Sequence, residues 1–196
     1  MAKTAAVFFA DGFEEIEGLS PVDYLRRAGV EVTTVGVVGK PFNDTMIVTS
    51  SHKIPIVTDT TLDVYLAEHK DNLPDCVVCP GGSVGADNLA ATPDLLAFLE
   101  KCFDAEKLTS AICASPAVVF GKTKITSGKK WTCYPGMETC AKEEYLSKYE
   151  NNVFVTDGNV VTGRGPGASE QFAMELVRIL AGSEVYKKVH DSSQQR

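Results

Sequence analysis

Short apolar runs alternate along this chain with stretches of helical spacing, the pattern of an α/β domain built on a mainly parallel sheet. The run TAAVFFA (4–10) predicts a buried first strand. Ile16, Leu19, Val22 and Leu25 predict a helix from Glu15 to Ala28, closed by Gly29. Pro21 either bends that helix or marks its first turn. VEVTTVGV (30–37) predicts a second strand, TMIVTS and KIPIV (45–57) short β segments forming a hairpin beside the sheet, and CVVCP (76–80) another buried strand. Two helical patches lie between Gly85 and Glu106, divided where Thr92 suits an N-cap and Pro93 a first helical residue. LTSAI (108–112) predicts a strand, ASPAVVF a helix, WTCY a strand, GMETCAKEEYLSKY a helix, and VFVTDGNVVTG a hairpin turned at Asp157-Gly158. A last helix is expected from Ala168 to Ala181, ending at Gly182. DSSQQR (191–196) has the composition of a flexible tail, which leaves residues 1–190 as a single domain.

Composition narrows the functional classes. With 44% hydrophobic and 23% charged residues in 196, the chain can bury a real core and is not a disordered segment. Its 26 acidic against 19 basic residues give a net charge of −7, which sets the surface against phosphate backbones and argues against a nucleic-acid partner. No apolar run approaches the ~18 residues of a membrane span, and the N-terminus enters a strand without the regions of an export signal, so a cytoplasmic protein with no membrane contact is expected.

Six cysteines, at 76, 79, 102, 113, 133 and 140, read as reduced thiols in a chain too large to need disulfide staples. Cys76 and Cys79 form a C-x-x-C inside a buried strand, not at the helix N-terminus that redox chemistry uses, and the histidines at 52, 69 and 190 stand singly. Neither a metal nor a cofactor is expected.

The decisive segment is LTSAICASPAVVF, where an apolar strand runs through small residues and a cysteine into a helix, a nucleophile elbow with sulfur in place of oxygen. Cys113 is therefore the cysteine placed for reactivity, with the following helix N-terminus favouring its thiolate. In ADGFEEIEG three carboxylates follow the first strand. Glu14 and Glu15 suit a helix N-terminus. Glu17 reads either as such an acid or as a site carboxylate on the same sheet edge as Cys113. PGGSVGADNL could present backbone N–H donors as an oxyanion hole, or serve as a phosphate loop without the usual Lys-Ser/Thr, or as a plain turn. GRGPGA matches a dinucleotide fingerprint formally, but too few residues follow it for a βαβ unit.

Taken together, AVFFADGFEEIEGLSPVDYLRRAG, VVCPGGSVGADNL, AICASPAVV and GRGPGASEQFA, in this order, resemble the DJ/ThiJ/PfpI superfamily over roughly residues 4–185, closest to its parkinsonism-associated deglycase branch. The resemblance implies a flavodoxin-like three-layer sandwich, a homodimer, a reactive cysteine at Cys113 and an active-site glutamate at Glu17. It implies oxyanion donors at the amides of Gly82 and Ala114, and a dimer-side arginine at Arg27. Ala114 stands where the protease-like branch carries histidine, and Tyr134 stands where the deglycase branch carries one. The implied activity is a cofactor-free glyoxalase or deglycase acting on small dicarbonyls through a Cys113 hemithioacetal. The alternative is an oxidative-stress sensor or holdase chaperone that uses oxidation of Cys113.

Overall fold

In the computed structural model, residues 2–37 and 46–195 are described. Thr45, at the head of the TMIVTS segment, and Arg196, at the end of the tail, lie outside them. The chain runs β1 (Thr4–Phe9), α1 (Glu15–Arg27), β2 (Glu31–Gly36), β3 (Ile47–Thr49), β4 (Pro55–Val57), β5 (Thr60–Thr61), α2 (Leu62–Glu68) and β6 (Cys76–Cys79). It continues through α3 (Ser83–Ala90), α4 (Pro93–Asp104), β7 (Leu108–Ile112), α5 (Ser115–Val118), α6 (Glu143–Leu146), β8 (Phe154–Asp157), β9 (Val160–Gly163) and α7 (Ser169–Ser192).

Seven strands form one sheet in the order β5-β2-β1-β6-β7-β9-β8, all parallel to their neighbours except β8, which pairs antiparallel with β9. Strand alternation splits the core into two faces. Ala6, Phe8, Val77 and Cys79 pack with Leu89, Leu95 and Leu99 of α3 and α4, whereas Val7, Phe9 and Val78 pack with Leu25 of α1 and Leu176 of α7. Helices thus cover both faces, as buried parallel strands require, and the three-layer expectation holds. The β3–β4 hairpin stands outside the main sheet, as its sequence predicts. Among the described residues no helix is long and apolar enough to cross a membrane.

Punctuation residues behave locally as expected. Gly29 closes α1 at φ +78°, Pro93 opens α4, and Pro21 sits inside α1. Thr92 flanks α4, but its hydroxyl donates back to the Asn88 carbonyl at 2.9 Å instead of capping. The β8–β9 loop is Gly158-Asn159, one residue later than expected, because Asp157 already pairs with Val160.

Larger departures come where tertiary contacts decide. Trp131 makes only an isolated bridge to Tyr149, so WTCY is not a strand. GMETCAKEEYLSKY contains a 3-10 turn at Glu138–Cys140 and a single turn at α6 instead of one helix. Extended backbone at Ala141 (ψ 168°) interrupts it, and Trp131, Ala141 and Tyr145 instead wrap into their own small apolar cluster. The ASPAVVF helix is likewise one α-turn followed by a 3-10 turn at Phe120–Lys122. The strand β5 and helix α2 carry no pattern strong enough to predict. Finally, Gly182 ends a helix only locally. At φ 85°, ψ 167° it kinks α7, which resumes to Ser192 with Val189 buried, so helix enters the expected tail.

Candidate active site

The site begins with a strained residue. Cys113 follows β7 at φ +64°, a conformation a non-glycine residue rarely adopts and one that an elbow imposes. Three hydrogen bonds hold it there: Cys113 N–H to the Gly163 carbonyl (2.9 Å), Tyr134 N–H to the Cys113 carbonyl (2.8 Å), and the Ser115 hydroxyl to the Pro80 carbonyl (2.6 Å). The small residues Ala111 and Ser115 are fully buried at the crossing, as their size permits.

The third residue of α1 supplies the partner. Glu17 is completely buried, accepts the Gly81 N–H on Oε2 at 3.0 Å, and has no hydrogen-bond partner for Oε1 among the described residues. A methyl group on Gly81 would lie 2.5 Å from Cys113 Cβ and 2.6 Å from Glu17 Oε2, so this glycine is what lets thiol and carboxyl share one spot. Gly82, at φ +85°, packs so closely on the 10–14 segment that a Cβ would stand 2.3 Å from the Gly12 carbonyl oxygen. The Gly82 and Ala114 amides lie near enough to the Cys113 sulfur to favour its thiolate.

Electrostatics couples the pair. Burial raises Glu17 to about 7, helped by the charge of Glu14 and opposed by Cys113 and the Gly81 amide. Burial, and then the charge and hydrogen bond of Glu17, push the Cys113 thiol up to about 12 against the pull of the Gly82 and Ala114 amides. Two adjacent negative charges are disfavoured here, so the sulfur ionises best when its proton passes to Glu17. The helix-dipole help read from the sequence is replaced by these two amides, since α5 is a single turn.

Residues 3–179 match the DJ-1/PfpI family. The chain belongs to that family.

Within it, the chain is 38% identical over 175 residues to Protein DJ-1 homolog B of Arabidopsis thaliana, covering 89% of this chain and 37% of that protein, so it spans about a third of that relative. It is 27% identical over 188 residues to the Glutathione-independent glyoxalase DJ-1 of Schizosaccharomyces pombe, covering 95% of each. The crystal structure of Drosophila melanogaster DJ-1beta superposes with a TM-score of 0.87 at 33% identity, covering 100% of both chains. The fold is the flavodoxin-like fold of DJ-1 proteins.

Other residues read from the sequence fall in different places in this DJ-1/PfpI chain. Tyr134 borders the site, its amide on Cys113 and its ring half-exposed against Gly165. Arg27 does not meet the pair: it lies ten residues beyond Glu17 along α1, about 15 Å at the helical rise, and its Nε donates to Asp23 at 2.7 Å. His52, read as standing singly, does not. Its Nδ1 lies 2.7 Å from a Glu15 oxygen and 3.8 Å from a Glu14 oxygen, and the Ser51 hydroxyl touches all three side chains. Among the described residues this is the group whose ligand types could hold a metal ion, each pair of atoms within 4.8 Å. Sequence reasoning missed it because 36 residues separate the hairpin turn from the helix.

The cysteines separate by exposure. Cys76, Cys79, Cys102 and Cys133 are buried away from solvent, whereas Cys113 is half-buried. Cys140, however, is exposed, which the sequence reading of Cys113 as the one reactive thiol did not foresee. Limiting iodoacetamide should therefore label Cys113 and Cys140 and spare the other four. Glu17→Gln should speed labelling of Cys113 alone, by removing the charge that holds its thiol up; peptide mapping that finds Cys133 or Cys102 modified first would contradict this order.

Proposed function

We propose that this protein is a cofactor-free glyoxalase or deglycase-type enzyme that converts methylglyoxal, or its early adducts on thiols and amines, into a hydroxyacid. The observation that carries this reading is the Cys113–Glu17 pair packed on Gly81, with the Gly82 and Ala114 amides near the sulfur. The name of the fission-yeast relative agrees with it.

The thiol proton passes to Glu17, and the sulfur attacks the aldehyde carbon. The resulting hemithioacetal oxyanion is held by the two amides, the groups such a charge needs in a water-poor site. Glu17 first gives the thiol proton to that oxyanion; as a carboxylate it then takes the proton from the same carbon while the hydroxyl proton passes to the ketone oxygen, and it returns the carbon's proton to the former ketone carbon, leaving a lactoyl thioester on Cys113. Water cleaves the thioester, releasing lactate and the free thiol, so one dicarbonyl and one water give one hydroxyacid. Oε1 of Glu17 is suited to this relay because it has no hydrogen-bond partner among the described residues. Multiple-turnover lactate formation from methylglyoxal, without glutathione or metal, tests the reading, and its absence from protein with an alkylatable Cys113 would remove it.

The second reading, a redox sensor or holdase, draws on the same carboxyl, which when protonated would hydrogen-bond a sulfinic acid on Cys113. We further propose a cytoplasmic homodimer. Ile16 and Leu19 on α1, with Ile47, Ile54 and Val57 on the hairpin, leave apolar side chains in solvent on neighbouring elements. The hairpin turn is tied to the segment just before α1 by Ser51 N–H to the Phe13 carbonyl at 2.7 Å. Arg27 would then act at the dimer-side rim. Sedimentation should show a dimer that Val57→Glu converts to monomer; a monomeric wild type would overturn this.

A further inference from the structure

We propose that the cleft beside Cys113 contains an anion subsite, formed by the guanidinium of Arg164 and the phenol of Tyr134, that selects 2-oxoaldehydes carrying a carboxylate. This deepens the glyoxalase reading and rests on it.

Backbone pairing puts both residues at the nucleophile. Ile112 of β7 is in register with Gly163 of β9, and Cys113 N–H bonds the Gly163 carbonyl, so Arg164 is the first residue past the strand end adjoining Cys113. On the other side Tyr134 N–H bonds the Cys113 carbonyl. Between them opens a cleft of about 420 Å³, with Tyr134 and Pro135 as one wall and Arg164 to Ala168 as the other. Gly165 makes room for the phenol ring, since a Cβ there would lie 3.2 Å from Tyr134 Cδ2.

The charge in this cleft is uncompensated. Of the four described arginines, Arg26, Arg27 and Arg178 are each paired with a carboxylate (Asp59, Asp23 and Glu175). Arg164 makes no side-chain hydrogen bond or ion pair among the described residues, and only its amide is used, on the Val153 carbonyl at 3.0 Å. The Tyr134 hydroxyl likewise has no partner among them, and the cleft lining holds no acid. In a chain of net charge −7, a guanidinium with no carboxylate partner among the described residues, in a cleft that also holds a phenol and opens where the backbone adjoins Cys113, complements a planar oxyanion. It would also offset the repulsion between an anionic substrate and the Glu17 carboxylate.

The test compares methylglyoxal with 4,5-dioxopentanoate, an oxoaldehyde with a carboxylate, which the same internal proton transfer and addition of water would turn into 2-hydroxyglutarate. The ratio of kcat/KM, anionic over neutral substrate, should fall about 10- to 100-fold in Arg164→Met, mainly through KM for the anion, with Arg164→Lys keeping part of it. An unchanged ratio in Arg164→Met would overturn the subsite while leaving the glyoxalase reading intact. If wild type turns over neither substrate, the glyoxalase reading fails, and the subsite is decided without turnover. Glutarate should then slow iodoacetamide labelling of Cys113 in wild type and not in Arg164→Met, and equal rates in both proteins would overturn it.

Discussion

Glu17→Gln is expected to form the Cys113 adduct with methylglyoxal and yet to release lactate about 10²- to 10⁴-fold more slowly than wild type, the usual cost of losing an acid–base group. The substitution preserves size and keeps an oxygen for the Gly81 N–H, so the elbow geometry should persist. What disappears is a carboxyl raised to about 7, matched to taking and returning a proton near neutrality. Adduct mass and lactate release, measured on both proteins, separate the two readings. An appreciable wild-type rate that the substitution leaves unchanged would falsify the proton-relay role, whereas a sensor would show no turnover in either protein.

The second large effect concerns stability. Because the fold raises Glu17 from its ordinary 4.5 to about 7, it favours the protonated carboxyl. The contribution is fully present below about pH 4.5 and is lost as pH rises through 7. At ~1.36 kcal/mol per pH unit, wild type should lose roughly 3 kcal/mol relative to Glu17→Gln between pH 4.5 and 8. Asp59, Asp75 and Glu175, held below their ordinary values by backbone, side-chain and ionic partners, pull the other way, but they are present in both proteins and cancel in the difference. Urea unfolding of both proteins across this range gives the difference directly, and parallel pH profiles would refute it. If the slope is found, this is a site whose function and stability conflict: the carboxylate needed as a base at neutral pH is the form the core disfavours.

Much of this was legible in the sequence because it is written in local terms. Burial of successive residues in β1, β6 and β7 follows from apolar runs, the helix break at Thr92-Pro93 from proline's fixed φ, and the elbow from a cysteine flanked by Ala111 and Ser115. Glu17 was legible as a candidate because α1 begins just past the carboxyl edge of β1. Local pattern gave it only a slightly better claim than Glu14 and Glu15, since neighbouring acids carry nearly the same local signal; the family resemblance singled it out, and the fold buries it completely.

By itself, then, the sequence determined the α/β pattern, the mainly parallel sheet and the position of Cys113, because residues near in the chain set apolar runs, helix spacing and turns. Tertiary structure alone decided the rest. It wrapped residues 131–149 around Trp131, carried a helix past Gly182, and brought His52 to Glu14 and Glu15. It also left Arg164, which follows the residue that bonds Cys113, without a side-chain partner among the described residues. Each of these depends on contacts between residues far apart in the chain, whose free energy comes from shared burial and charge proximity that no local pattern encodes.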